Sequence, residues 1–142
     1  MSEKPIQETM CCLMVQVCKA HRNHAATVLA ELGLHNGQEI LLMHLWEHDG
    51  LIQSELASLM EVEAPTLTKM IHRMEKAGFL ERRKDEEDGR ICRIYLTQAG
   101  RSLQEPVTCA WNLLEKRILA NLTQEEQFVL RRLLLQVRNN LT

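Results

Sequence analysis

The sequence predicts a mainly α fold with a small β-hairpin, an α+β architecture in which the hairpin is the minor part. Three observations predict it. Apolar residues recur at three- and four-residue steps along most of the 142 residues. That period gives way to strand-like alternation in a single stretch, between about residues 79 and 96. The breaks fall at glycines, an Asp-Gly turn and capping residues rather than in long linkers. No internal repeat or low-complexity tract divides the chain, so one domain is expected. At this length folding hides roughly 70% of the unfolded chain's surface, and neither disulfides nor a metal is needed for stability.

Taken in order, apolar residues at 6, 10, 13, 14, 17, 25, 28, 29 and 32 describe one long amphipathic helix from Ile6 to about Leu32. Gly33 suits the left-handed turn that ends it. Asn36-Gly37-Gln38-Glu39 has the form of a capping box, and a second helix continues over Ile40 to Trp46 until Asp49-Gly50. Ser54 to Met60 reads as a short third helix. Pro65, in a first turn, opens a fourth, which carries Leu67, Met70, Ile71 and Met74 inward and stops at Gly78. The period then changes. Phe79 to Arg83 and Ile91 to Leu96 read as two strands joined by a polar connector, residues 84–90, with Cys92, Ile94 and Leu96 alternating against Arg93 and Tyr95. Thr97 caps a helix over roughly 98–120, in which Pro106 is expected to produce a kink. Thr123-Gln124-Glu125-Glu126 is a full capping box, and Leu130, Leu133, Leu134, Val137 and Leu141 give a last helix its stripe.

A short helix, a brief turn, a second helix and a basic hairpin form a winged helix-turn-helix arrangement, flanked here by long terminal helices. A helix about 10–12 Å across fits the ~12 Å major groove of DNA. With its apolar set facing in, the fourth helix turns Thr66, Thr68, Lys69, His72 and Arg73 outward: hydroxyls, an imidazole and two cations suited to phosphate contact and base readout. The net charge of −2 argues at first against a nucleic-acid ligand. Its distribution reverses the inference. Residues 1–64 hold three Lys/Arg against nine Asp/Glu, whereas residues 65–101 hold nine against six. Attraction to DNA depends on local cations that displace counterions, so a near-neutral total does not forbid it.

These residues resemble the MarR family of bacterial transcriptional regulators. The resemblance rests on Gly78-Phe79-Leu80-Glu81-Arg82, then Asp88-Gly89-Arg90, then Leu96-Thr97-Gln98-Ala99-Gly100, and on the helix Ala64-Pro65-Thr66-Leu67-Thr68-Lys69-Met70-Ile71-His72-Arg73-Met74-Glu75. It is specific from about Leu34 to Gly100. It implies a winged DNA-binding lobe over 34–100 and dimerisation helices over 6–32 and 101–142. In the homodimer so implied, each lobe reads one half-site of a palindromic double-stranded operator. Lys84 and Arg90 then supply cations of the wing, with Arg90 entering the minor groove from its tip, Asp88 fixing the wing's shape and Arg82 either bracing the wing or touching DNA. The sequence departs from the family where Ser or Thr usually precedes the second, third and fourth helices: His35, Ile52 and Glu63 stand there. The function expected is a sequence-specific transcriptional regulator, a repressor released from DNA by a small-molecule effector or an oxidant.

Other signals compete. His44-Leu45-Trp46-Glu47-His48 matches the His-x-x-Glu-His pattern of a metal-dependent hydrolase, since i and i+4 imidazoles on a helix share a face. Without a third ligand the pattern reads as two partly exposed histidines at a helix end, and no metal is expected. Cys11, Cys12 and Cys18 lie on the first helix, with 11 and 18 on one face; they are candidate redox thiols, although the chain's one tyrosine, Tyr95, lies on the hairpin. Five cysteines without Cys-x-x-Cys spacing point to a reduced, cytoplasmic protein. No apolar run approaches the ~20 residues of a membrane span. With no Gly-rich phosphate loop and no Gly-x-Ser-x-Gly elbow, neither a cofactor nor an enzyme is expected. A dimeric interaction module that does not bind DNA is the remaining alternative.

Overall fold

Thr9 decides where the first long helix begins. Its backbone is extended and its Oγ1 accepts the Cys12 N–H at 3.1 Å, so α1 spans Met10–Ala30. The start expected at Ile6 is instead a separate 3-10 turn, Ile6–Glu8. At the far end Gly33 takes a left-handed φ of 78°, and the Leu34 N–H returns to the Leu29 carbonyl at 3.0 Å, closing the helix as expected. The computed structural model describes residues 2–142.

The next helix, α2, spans Gln38–Glu47, and its start departs from the expected box. Gly37, at φ 95°, is the N-cap; Glu39 accepts the Gly37 N–H at 3.1 Å and Gln38 accepts the His35 N–H at 2.9 Å. Asn36 turns away and donates to the Arg22 carbonyl of α1. Glu39 is therefore a buried acid, with one oxygen on Gly37 and the other, Oε2, without a hydrogen-bond partner among the described residues. Burial pushes its carboxyl above the usual carboxylate range, against the opposing pull of the Gly37 N–H and of His21.

A two-residue strand, β1 (Leu51–Ile52), precedes α3 (Gln53–Met60), and α4 spans Ala64–Lys76. Neither Ile52 nor Glu63 makes a side-chain cap, but Glu55 accepts the Ile52 N–H at 3.3 Å and so partly repairs the start of α3. The hairpin consists of β2 (Leu80–Lys84) and β3 (Cys92–Leu96). The sheet has three strands, not the expected two, in the antiparallel order β1-β3-β2, with Leu51 opposite Ile94 and Leu80 opposite Leu96. Two residues are too few to display a period, which is why β1 leaves no mark in the sequence.

The helix expected over 98–120 is two helices, α5 (Gln98–Ser102) and α6 (Gln104–Ile118). Pro106 has no N–H for the Ser102 carbonyl, so the ladder is interrupted one turn ahead of it. The last helix, α7 (Gln124–Leu141), starts on the predicted reciprocal box: Glu126 accepts the Thr123 N–H at 2.9 Å and returns its own N–H to Thr123 Oγ1 at 3.1 Å.

The chain divides into two units, one ending at Ala110 and the other Trp111–Thr142. In the first, Leu41, Leu42 and Leu45 of α2, Leu56 of α3, Leu67, Ile71 and Met74 of α4, and Ile94 of β3 close one core with almost no exposure. Gly100 of α5 packs so tightly that a Cβ there would run into the Phe79 carbonyl, and Trp46 Nε1 donates to the Gly100 carbonyl at 3.0 Å. By contrast, α1 buries Leu29 alone and leaves Met10, Leu13 and Val17 in one open line, continued by the exposed Ile6 of the 3-10 turn. In the second unit α7 has no buried residue, and Phe128 and Leu134 stand exposed. A groove of about 640 Å³ between α6 and α7 is lined by Ile118, Leu119, Phe128 and Leu134 together with Glu115 and Arg131.

Candidate nucleic-acid interface

The presented face of α4 follows from its inward one. Leu67, Ile71 and Met74 are buried and Met70 half-buried, so the steps between them force Thr66, Thr68, Lys69, His72 and Arg73 outward, and all five are exposed. Pro65 lies in the first turn, where its missing N–H costs nothing. Neither Lys69 nor Arg73 joins an ion pair among the described residues, which leaves both cations available to phosphates. Thr68 is already engaged: its Oγ1 donates to the Ala64 carbonyl at 2.9 Å and accepts from Gln53 Nε2 at 2.6 Å. His72 Nδ1 stands 4.0 Å from Glu75.

The hairpin is fastened at its base and its tip. Arg82 Nε lies 3.0 Å from Glu75 Oε1, tying β2 to α4. At the tip, Asp88 accepts the Arg90 N–H and Nε at 3.1 Å each and Nη2 at 3.2 Å, while the Arg90 side chain is 92% exposed. Asp88 thus sets the conformation of the loop and holds the guanidinium out in solvent. Arg90 in turn keeps the Asp88 carboxyl below the usual carboxylate range. Lys84 closes β2, exposed and without an ion-pair partner among the described residues.

Asp85 and Arg93, assigned no site role from sequence, complete the frame. Asp85 accepts the Glu87 and Asp88 N–H groups at 3.1 and 3.0 Å and Arg93 Nε at 2.7 Å; that last bond leads in holding its carboxyl low. Arg93 also donates to the Gly50 carbonyl at 2.9 Å, joining the wing to the turn before β1. Asp49, in the same turn, accepts the Leu96 N–H at 2.9 Å. On the sheet's outer face Arg83 pairs with Glu81 and lies 4.5 Å from the centre of the Tyr95 ring, so the two opposed arginines, Arg83 and Arg93, are each neutralised by a separate acid. Opposite charges flanking a loop, as at Asp85 and Arg93, were the available signal.

Other candidates fall elsewhere. The His44–His48 pattern does not survive folding: α2 ends at Glu47, and His48 has an extended backbone at φ −141° and ψ 94°, so the two imidazoles do not share a helix face. The reason is the Asp49-Gly50 turn, whose bonds to β3 stop the helix. Among the described residues no group of three or more His, Cys, Asp and Glu is placed to hold a metal ion, so the pair gains no third ligand. Cys11 and Cys18 are exposed and Cys12 half-buried on α1, all as free thiols. Among the described residues no helix is long and apolar enough to cross a membrane.

Comparison with known proteins bears on the same surface. The model of the MarR family matches residues 34–92, the stretch from the last turn before α2 to the start of β3. The organic hydroperoxide resistance transcriptional regulator of Bacillus subtilis is 30% identical over 70% of this chain and 68% of its own. A probable transcriptional regulator from Pseudomonas aeruginosa superimposes with a TM-score of 0.83 at 27% identity, over 94% of this chain and 99% of that one. The Staphylococcus aureus MepR–DNA complex shares the fold, with a TM-score of 0.84 at 24% identity over 93% of this chain and 98% of that one.

Proposed function

The chain belongs to the MarR family of DNA-binding transcriptional regulators, and from that premise we propose that it acts as a homodimeric repressor whose two winged lobes, residues 34–100, read the half-sites of a palindromic operator. The observation that carries the reading is one rigid frame with two outward prongs. One is the open face of α4 with Thr66, Thr68, Lys69, His72 and Arg73. The other is the wing tip, where Asp88 aims Arg90 into solvent and Lys84 stands at the edge. The first suits a major groove; an extended guanidinium suits the narrower minor groove beside it.

A second copy accounts for the open apolar surface of the terminal helices. Two copies must hold their reading helices about 34–36 Å apart to meet successive major-groove faces. The line of Met10, Leu13 and Val17 on α1 with Ile6 just before it, and separately the exposed face of α7, are the surfaces a partner would cover, within the proposed dimerisation segments 6–32 and 101–142. A signal need only favour another spacing: a small molecule between copies, or an oxidant acting on Cys11, Cys12 or Cys18. Shifting the DNA-competent fraction from 99:1 to 1:99 requires about 5.5 kcal/mol of differential affinity.

Arg90→Ala tests the reading. Gel-shift titration against a duplex enriched from random sequence should show a clear loss of affinity at moderate salt; unchanged affinity would sink the wing assignment. Lys69→Ala, as a phosphate contact, should lower the salt slope by about one and leave sequence preference unaltered.

A further inference from the structure

The bond between Gln53 and Thr68 reaches further than a helix–helix tie. It joins the first residue of α3 to the second turn of α4 on the exposed side, at 2.6 Å, in the middle of the face assigned to DNA. A threonine hydroxyl has one proton and two lone pairs. In Thr68 the proton is committed to the Ala64 carbonyl at 2.9 Å and one lone pair to Gln53 Nε2. Turning the Gln53 amide over would set its oxygen against Oγ1 and draw the proton away from Ala64. With either face of the amide towards it the Thr68 proton is spent, on Ala64 or on Gln53, and in the observed form Thr68 offers its surroundings a γ-methyl and one lone pair, and no hydrogen to donate.

We infer that Gln53 is a positioning residue that determines sequence specificity: by holding Thr68 in this state it makes Thr68 a reader of a T·A base pair. In the major groove such a pair presents the thymine C5-methyl and the adenine N6 amino donor, which match a methyl and a lone pair. A guanine at that place presents the acceptors O6 and N7, which Thr68 cannot satisfy because its proton is spent. Gln53 keeps a second N–H, and the first helix of a helix-turn-helix crosses the backbone, so that hydrogen is placed for a phosphate oxygen. Gln53 thus couples register on the backbone to the base that Thr68 meets. The inference rests on the DNA-binding reading of α4 proposed above.

The test uses the full chain and duplexes enriched from random sequence, with each thymine replaced in turn by deoxyuridine, which lacks only the C5-methyl. The wild type should lose about fourfold in affinity at one thymine per half-site, the weight of one buried methyl group. Thr68→Ser, which keeps the hydroxyl and removes the methyl, should show no loss there. Gln53→Ala should relax preference at that same base pair and leave the other positions as they were. If Gln53→Ala melts early, Gln53→Met, of similar reach and without a donor, repeats the measurement. Unaltered preference in the Gln53 variants, relaxation at a different base pair, or a wild type indifferent to every deoxyuridine overturns the inference while leaving DNA binding intact. A wild type that enriches no sequence overturns the DNA-binding reading and this inference together.

Discussion

The helices of the winged lobe and the terminal helices treat the same kind of residue in opposite ways. Leu41, Leu42 and Leu45 of α2 are sealed from water, whereas Leu13 and Val17 of α1, or Phe128 and Leu134 of α7, stand more than half exposed. Composition does not separate these helices; completeness does. The lobe closes its core largely from elements of its own, with Leu29 of α1 and Val107 of α6 added at its edge, while most of the apolar stripe of α1 and that of α7 have little to cover them. An amphipathic stripe therefore reports that a helix packs, not that it packs within its own chain.

The largest expected effect comes from placing one truncation in each region. Leu42→Ala should cost about 2–5 kcal/mol in chemical denaturation, by the same amount at every protein concentration. Phe128→Ala should lower stability by an amount that grows with protein concentration, since in the proposed dimer the surface it trims is covered only on association. A concentration-independent loss in Phe128→Ala would break the comparison. Next in size, Gly100→Ala forces a Cβ onto the Phe79 carbonyl inside the lobe and should cost about 2–3 kcal/mol, read as a fall in melting temperature without change in self-association.

The smallest effect sharpens the lobe's own accounts. Glu39 carries a carboxyl raised by burial, so the folded protein binds its proton more tightly than the unfolded chain. Its contribution is fully present below the ordinary glutamate range and is lost as pH rises through the raised value. Glu39→Gln should flatten that decline, seen as a wild-type-minus-variant difference in denaturation midpoint that opens from acid towards neutral pH. Asp85 and Asp88 work in the opposite sense: their lowered values give stability that disappears on acidification, and both remain in the variant, so the difference isolates Glu39.

Much of this architecture was legible from period and caps. The order of helices, the Thr123 box, the Gly33 turn and the inward set of α4 all follow from local rules, and the face opposite Leu67, Ile71 and Met74 emerged with them. What stayed hidden is non-local. Leu51-Ile52 becomes a strand only because β3 offers it an edge. His48 leaves the helix because Asp49 is claimed by the Leu96 N–H, 47 residues away. Asp85, Arg93 and Gln53 matter through partners that no spacing rule connects to them. Pro106 does disturb its helix, but the break falls a turn ahead of it, after Ser102, whose carbonyl lacks the donor that Pro106 cannot supply.

The fastenings of the hairpin have a metrical consequence. Arg82 grips Glu75 on α4, Arg93 grips the Gly50 carbonyl, and Asp49 grips the Leu96 N–H, so the wing is held both to α4 and to the turn between α2 and β1. The tip and the reading helix then behave as the jaws of a caliper locked at one opening. On the proposed reading of DNA such a gauge would reject a half-site whose two grooves are out of step by a base pair, because the jaws cannot be reset without breaking a fastening. In the dimer proposed above, the quantity left to adjust is the distance between one caliper and its twin.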